Sequence, residues 1–350
     1  MEQLLRELTQ LVGPCGFEHD VARYIRDRLQ HKGAVRVDGV GNVIVSVKGA
    51  HAGPVLAIST HMDEVGFIVK KIEQNGLLRF EKLGGHDDRI LLAQRVRIRT
   101  PHGSVPGVIG TISAHMQKAD DVSRVRRYNQ LYIDVGASGP KEVADMGITV
   151  GCPISWATSV ERLGQHRLVG KSFDDRAGCA VLIQALEQLQ PDTLYGTVHA
   201  VFSVQEEVGL RGARVAGRQL QPDVAIAIDT TAVSDTPEEM MDNTLALGAG
   251  PGIKVMDFSL IASVPVRDKL ISLATEAGIP HQLEVFAGIG TDAGELSLAG
   301  AGVPTGVLSI PSRYAHSPVE VIDERDLQRT ADLLIAFITS MRTAEEFAFI

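Results

Sequence analysis

Four stretches of this chain are largely apolar without the alternation of a half-buried strand: residues 55–60 (VLAIST), 197–204 (TVHAVFSV), 224–228 (VAIAI) and 307–310 (VLSI). Such runs suit strands covered on both faces, which requires helices packed against each side of a sheet. Helical spacing supplies those helices. Leu4, Leu8 and Leu11 fall on one face, as do Val21, Ile25 and Leu29. A third helix is expected from about Arg176 to Gln190, with Val181, Ala185 and Leu189 on its buried side. The last carries Leu327, Ala331, Leu334, Ile338 and Met341.

Residues 67–164 have a different texture. Short strand-like segments (FIVKKI, LLRFEKL, RVRIRT, SVPGVIGTI, LYIDVG, ITVGCPISW) are punctuated by Gly and Pro, and Asn75-Gly76 between the first two is a strong hairpin signal. Many brief strands of this kind predict a small β-barrel. Residues 117–130 (QKADDVSRVRRYNQ) lack periodicity and read as a long, mobile loop. The expected organisation is therefore an α/β domain over 1–66 and 165–350, with a mixed central sheet flanked by helices, interrupted by a small β-barrel domain over 67–164.

The ends of the buried strands carry the chemistry. VLAIST runs into His61-Met62-Asp63, the second strand into Gln205-Glu206-Glu207 and the third into Asp229, while His316 follows the fourth by a few residues. Ligands of open α/β sheets bind beyond the carboxyl ends of the strands. Taken singly, each residue has an ordinary explanation. A His after a strand is usually just solvated or hydrogen-bonded, Glu206-Glu207 is an acidic pair, and Asp229 a cap or turn residue. Asp63, two residues beyond His61, points the same way on extended chain and suits a carboxylate that orients the imidazole. Asp174-Asp175 in KSFDDRAG starts a helix, where Asp175 fits capping and dipole compensation and Asp174 fits less well. Taken jointly, His61, Asp174, Glu207, Asp229 and His316 give two imidazoles and three carboxylates, with Glu206 spare. Two ions sharing a bridging carboxylate are implied, and the nitrogen content favours zinc or cobalt over magnesium.

Other chemistries lack their signatures. There is no HExxH helix, GxSxG elbow, Walker loop or CxxC pair, and GAGPG (248–252) and GIGTDAG (288–294) do not have dinucleotide spacing. A net charge of −9, without a basic block, argues against nucleic acid, and aromatics at 5% argue against a stacking platform. Cys15, Cys152 and Cys179 show no paired spacing, as expected of reduced thiols in a cytoplasmic protein, and no apolar run has the length of a membrane span.

The blocks THMDEVGF, GKSFDDRAG, QEEVGLRGA, AIDT and YAHSP, in this order and spacing, resemble the cocatalytic metallo-aminopeptidases related to glutamyl aminopeptidase and the tetrahedral, self-compartmentalising peptidases. The resemblance spans almost the whole chain and implies a zinc-exopeptidase-like fold. Asp174 follows His61 by 113 residues, leaving room for the barrel between the two motifs as in the aminopeptidase branch. One departure is Ser113-Ala114-His115, where the family commonly has Pro before the His. Carried over, His61, Asp174 and Asp229 hold one metal, and Asp174, Glu207 and His316 the other. Asp63 orients His61 and Glu206 is the general base. The resemblance also implies release of N-terminal residues from short peptides, barrel-mediated dimers and their closure into a dodecamer. The alternative is the same metal core serving a deacylase or an endoglucanase-like hydrolase.

Overall fold

The computed structural model describes residues 1–116 and 124–350; the part of the expected loop at 117–123 lies outside the described residues. The chain opens with α1 (Glu2–Gln10) and α2 (His19–Leu29), which bury Leu4, Leu8, Val21, Ile25 and Leu29 as their spacing predicts. Leu11 falls one residue beyond α1, in extended backbone. Strands β1 (Ala34–Val37), β2 (Val43–Lys48) and β3 (His51–His61) follow. Next come β4 (Gly66–Ile72), β5 (Leu78–Leu83), β6 (Arg95–Thr100), β7 (Gly103–Ile109), β8 (Ile133–Asp134), α3 (Pro140–Asp145) and β9 (Pro153–Trp156). The remainder runs β10 (Glu161–Leu163), β11 (Arg167–Gly170), α4 (Phe173–Gln188), β12 (Tyr195–Ser203), α5 (Arg211–Leu220), β13 (Val224–Ala232), β14 (Gly252–Met256), α6 (Val264–Glu276), β15 (Gln282–Val285), α7 (Ala293–Ser297), β16 (Thr305–Arg313), β17 (Glu320–Asp323) and α8 (Glu324–Ser340).

Among the described residues the main sheet has eleven strands in the order β1-β2-β12-β3-β13-β16-β17-β11-β10, with β14 and β15 branching from β16. Its centre, β12, β3, β13 and β16, is parallel, and its flanks are antiparallel. These central strands contain the four unalternating runs, and Leu56, Ile58, Ala200, Phe202, Ile226 and Leu308 are completely buried in them. Each such Leu, Ile or Phe contributes roughly 1.5–3 kcal/mol by leaving water. Helix α4 is apolar on nearly every side and packs between the sheet and helices α1 and α8. A helix without a polar face belongs in an interior. Its regular part starts after non-helical backbone at Asp174 and Asp175, and it ends at Gln188, short of Pro191.

Strands β4-β5-β8-β7-β6-β9 close a barrel with its own core, including Phe67, Phe80, Ile98, Ile133 and Trp156. The Asn75-Gly76 turn joins β4 to β5, with Gly76 at φ +83° in the left-handed region. No helix among the described residues is long and apolar enough to cross a membrane. All three cysteines are free and buried.

Register levels the strand ends that matter. Ser203 on β12 pairs with His61 on β3, Ala227 on β13 with Ser59 on β3, and Asp229 with Ser309 on β16. The residues that follow β3 and β12, and those at the end of β13, thus emerge along one edge.

Candidate metal centre

His61, the last residue of β3, is 2% exposed and presents its two nitrogens to different partners. Nδ1 lies 3.1 Å from the carbonyl oxygen of Asp63 and 3.4 Å from its carboxylate Oδ1. Nε2 lies 3.1 Å from Asp174 Oδ1, 3.7 Å from Asp229 Oδ1 and 4.0 Å from Glu206 Oε2. On the far side of Asp174, His316 Nε2 is 3.2 Å from Asp174 Oδ2 and 3.2 Å from Glu207 Oε1. Asp174 therefore offers one oxygen to each imidazole. Ligand-type atoms of His61, Asp174 and Asp229 lie within 4.8 Å of one another, as do those of Asp174, Glu207 and His316. All the residues singled out in the sequence come together here.

Buried acids behind this ring hold its backbone in place. Asp63 accepts the N–H of Glu206 at 3.0 Å and of Glu207 at 3.2 Å, one on each oxygen. Asp175 does cap α4, accepting the Gly178 N–H at 2.9 Å, but it also takes the Thr60 hydroxyl and the N–H of His61 at 3.3 Å. A Cβ on Gly178 would stand 2.4 Å from both Asp175 carboxylate oxygens, so the last glycine of GKSFDDRAG is required by packing. Glu320 on β17 accepts the N–H of Asp174 and of His316, each at 3.0 Å. Ser172, Gln205, Tyr314 and His316 adopt left-handed φ of +55° to +61° beside the ligands. Such backbone costs a non-glycine residue on the order of 1 kcal/mol each and persists where the surroundings dictate it.

The electrostatics describe a site short of positive charge. Burial disfavours protonated imidazole, yet the facing Asp174, Asp229 and Asp63 carboxylates raise His61 well above its ordinary value. His316 is pushed up to about 12, because Glu207 and Asp174 outweigh the burial that opposes it. Burial raises Asp229 to about 7 and also raises Glu207 and Glu206, the last strongly. Protons on both imidazoles occupy the place where cations would neutralise these carboxylates. Glu207 Oε1 is buried and accepts no directed hydrogen bond despite its nearness to His316. Two imidazoles and three carboxylates with such an unsatisfied atom fit a pair of divalent ions of the zinc or cobalt kind.

Sequence reasoning missed the supporting acids and cations. Glu320 lies four residues beyond His316 and was open to the same reading as Asp63 beyond His61. Glu64 pairs with Lys171 at 2.6 Å beneath the site, and Asp292 accepts hydroxyls of Ser59 and Ser203 at 2.6 Å and 2.5 Å. No local pattern marks these two. The centre opens into a cavity of about 600 Å³ whose lining includes Glu206, Asp229, Thr231, Phe258 and Ile289.

Comparison with known proteins adds the family to which the chain is similar. The family model described as M42 glutamyl aminopeptidase matches residues 41–333. A lysyl aminopeptidase of Pyrococcus furiosus is 34% identical, covering 97% of this chain and 97% of its own. The solved aminopeptidase APDkam598 of Desulfurococcus kamchatkensis is 40% identical with a TM-score of 0.94, covering 99% of this chain and 96% of that one. The Pyrococcus horikoshii TET1 peptidase, described as able to assemble into a tetrahedron or a large octahedral shell, is 32% identical with a TM-score of 0.89, over 97% and 99% of the two chains.

Proposed function

The chain belongs to the M42 glutamyl aminopeptidase family and is an aminopeptidase, and from that premise we propose that it releases N-terminal residues from short peptides using two divalent ions, zinc or cobalt, on either side of Asp174. The observation that carries this reading is the placement of one Asp174 oxygen 3.1 Å from His61 and the other 3.2 Å from His316. His61, Asp174 and Asp229 would hold one ion, and Asp174, Glu207 and His316 the other. Bound there, the pair supplies a Lewis acid for the scissile carbonyl and lowers the pKa of a water.

The chain's own groups do the rest. Glu206 belongs to neither ligand set, yet its carboxylate lies 4.0 Å from His61 Nε2 and its backbone is fixed by Asp63. Burial raises its proton affinity, as suits a base working near neutral pH. It takes a proton from the attacking water and returns it to the departing amine nitrogen, a role worth about 10²–10⁴-fold in rate. Asp63 orients His61 and sets the backbone of Glu206 and Glu207. The barrel would pair two chains, and the pairs would close into a dodecamer in the cytoplasm.

Glu206→Gln tests the base: it should keep both metals by elemental analysis and lose hydrolysis of aminoacyl-4-nitroanilides. A fully active variant would remove Glu206 from the mechanism. Asp174→Asn should lose metal, and unchanged stoichiometry would rule out the bridge.

A further inference from the structure

The cavity beside the metal centre must receive the side chain of the residue being released, and its lining has a definite chemistry. None of the described residues lining it is Lys or Arg. Among the described residues its only acids, Asp174, Glu206, Glu207 and Asp229, belong to the proposed metal centre and its base. Away from the metal centre itself, an acidic substrate side chain would meet no cationic side chain among the described residues.

A basic side chain fares no better, because the nearby acids already have a cation. Lys254 on β14 lies 3.0 Å from Glu284 Oε1 on β15 and 3.8 Å from Asp257 Oδ2, and all three side chains are sealed from solvent. They stand one residue behind the cavity. Thr231 lines the cavity and donates its hydroxyl to Glu284 Oε1 at 2.6 Å, and Ser259 lines it and donates to Asp257 Oδ1 at 2.9 Å. These hydroxyls are engaged by the buried acids. A substrate ammonium would have to displace Lys254 to reach Glu284, leaving a buried cation without its partner.

Apart from Thr230, what remains is apolar. Phe258 donates its N–H to Ile289 O at 2.8 Å, which holds the two side chains together at the cavity. Phe258 is 81% exposed, an aromatic ring left uncovered at the mouth. Ala232 and Gly290 add no bulk, and Thr291 fastens the wall by donating to Asp257 Oδ2 at 3.1 Å.

Resting on the aminopeptidase reading, we infer that this enzyme prefers peptides whose N-terminal side chain is uncharged and aliphatic, of the size of Leu or Met, and discriminates against both acidic and basic ones. The Lys254–Glu284–Asp257 cluster is the device: it withdraws from the cavity the acids that would otherwise recruit a cation.

The test is kcat/KM of the metal-loaded enzyme on Leu-, Met-, Glu- and Lys-4-nitroanilides. Leu or Met should exceed Glu and Lys by roughly tenfold or more. Best turnover of the Glu or Lys substrate would overturn the inference while leaving the aminopeptidase reading intact. Release of no amino acid from any of them, with both metals bound, would sink the reading itself. Ile289→Asp should raise the Lys-to-Leu ratio by roughly tenfold, and an unchanged ratio would show that the side chain is received elsewhere.

Discussion

The carboxylate of Glu320 accepts the N–H of Asp174 with one oxygen and that of His316 with the other, both at 3.0 Å. It thereby ties together two ligands that lie far apart in the chain, without entering the proposed coordination sets. Glutamine at 320 keeps the shape but offers one acceptor, and its amide NH2 would face the second N–H. Glu320→Gln should therefore weaken the ion held by Asp174, Glu207 and His316 by about 10–100-fold, which chelator competition reads directly. The unfolding temperature of the metal-free protein should move little, and unchanged metal affinity would deny Glu320 this part. The contrast with His61 explains what a sequence discloses. His61, Glu206-Glu207 and Asp229 are legible because each ends or follows an unalternating apolar run, which fixes its place in the sheet before any contact is known. Lys254 and Asp292 gain their meaning from partners such as Glu284 and Ser59, and no spacing rule links them. Lys254 in particular sits within GIKVM, where one face of a short strand would ordinarily be wet.

At the scale of elements, the barrel reaches the metal centre through the turn after β5. A Cβ at Gly85 would lie 3.3 Å from His316 Nδ1, so this turn passes against a proposed ligand. The next residue, His86, stacks on Phe67 at 4.4 Å between ring centres and donates Nε2–H to the Gly66 carbonyl at 2.9 Å. Its Nδ1 is buried without a partner. Burial pushes its pKa down from 6.5 to about 4. Between those values the unfolded chain binds a proton that the folded chain refuses, so stability falls as pH drops from about 6.5 to about 4. The full loss from this one group is on the order of 3 kcal/mol. His86→Gln, which keeps a donor for Gly66, should flatten that part of the denaturation profile in metal-free protein; an identical slope in both proteins would place the acid sensitivity elsewhere. The fold itself is legible at this scale because periodicity survives without partners: buried runs give the central strands, Gly-punctuated segments the barrel, and spaced leucines the helices. The non-helical backbone at Asp174 and Asp175 ahead of the regular part of α4 is not, since it depends on Thr60 and His61 of β3 and on Glu320 of β17 gripping that turn from two other elements.

For the molecule as a whole, two separate regions leave large apolar side chains in water. The barrel exposes Val108 (44%), and the margin formed by β15 and its neighbours exposes Leu283 (54%), Val285 (67%) and Ile261 (77%). Among the described residues strand β15 pairs only with β14, so among them its other edge is open as well. Exposed apolar side chains along an open edge invite association. The proposed assembly needs two kinds of contact: a self-complementary one that makes a pair, and a different one by which pairs close a shell. The barrel and the β15 margin supply two independent candidates, and the chain's −9 charge keeps such particles from further clumping. Light scattering should accordingly find a multi-chain species at micromolar concentration. Val285→Glu, which puts a charge on the open edge, should reduce it to a smaller species that still contains paired chains and still hydrolyses short substrates, because Val285 lines neither the metal centre nor the cavity. A wild-type monomer would remove the barrel's proposed role, and a Val285→Glu particle of full size would remove that of β15. If the shell forms, folded proteins are kept from the centre by its walls while short peptides pass. The variant should then degrade short peptides at the wild-type rate, and only the intact particle should discriminate against longer ones.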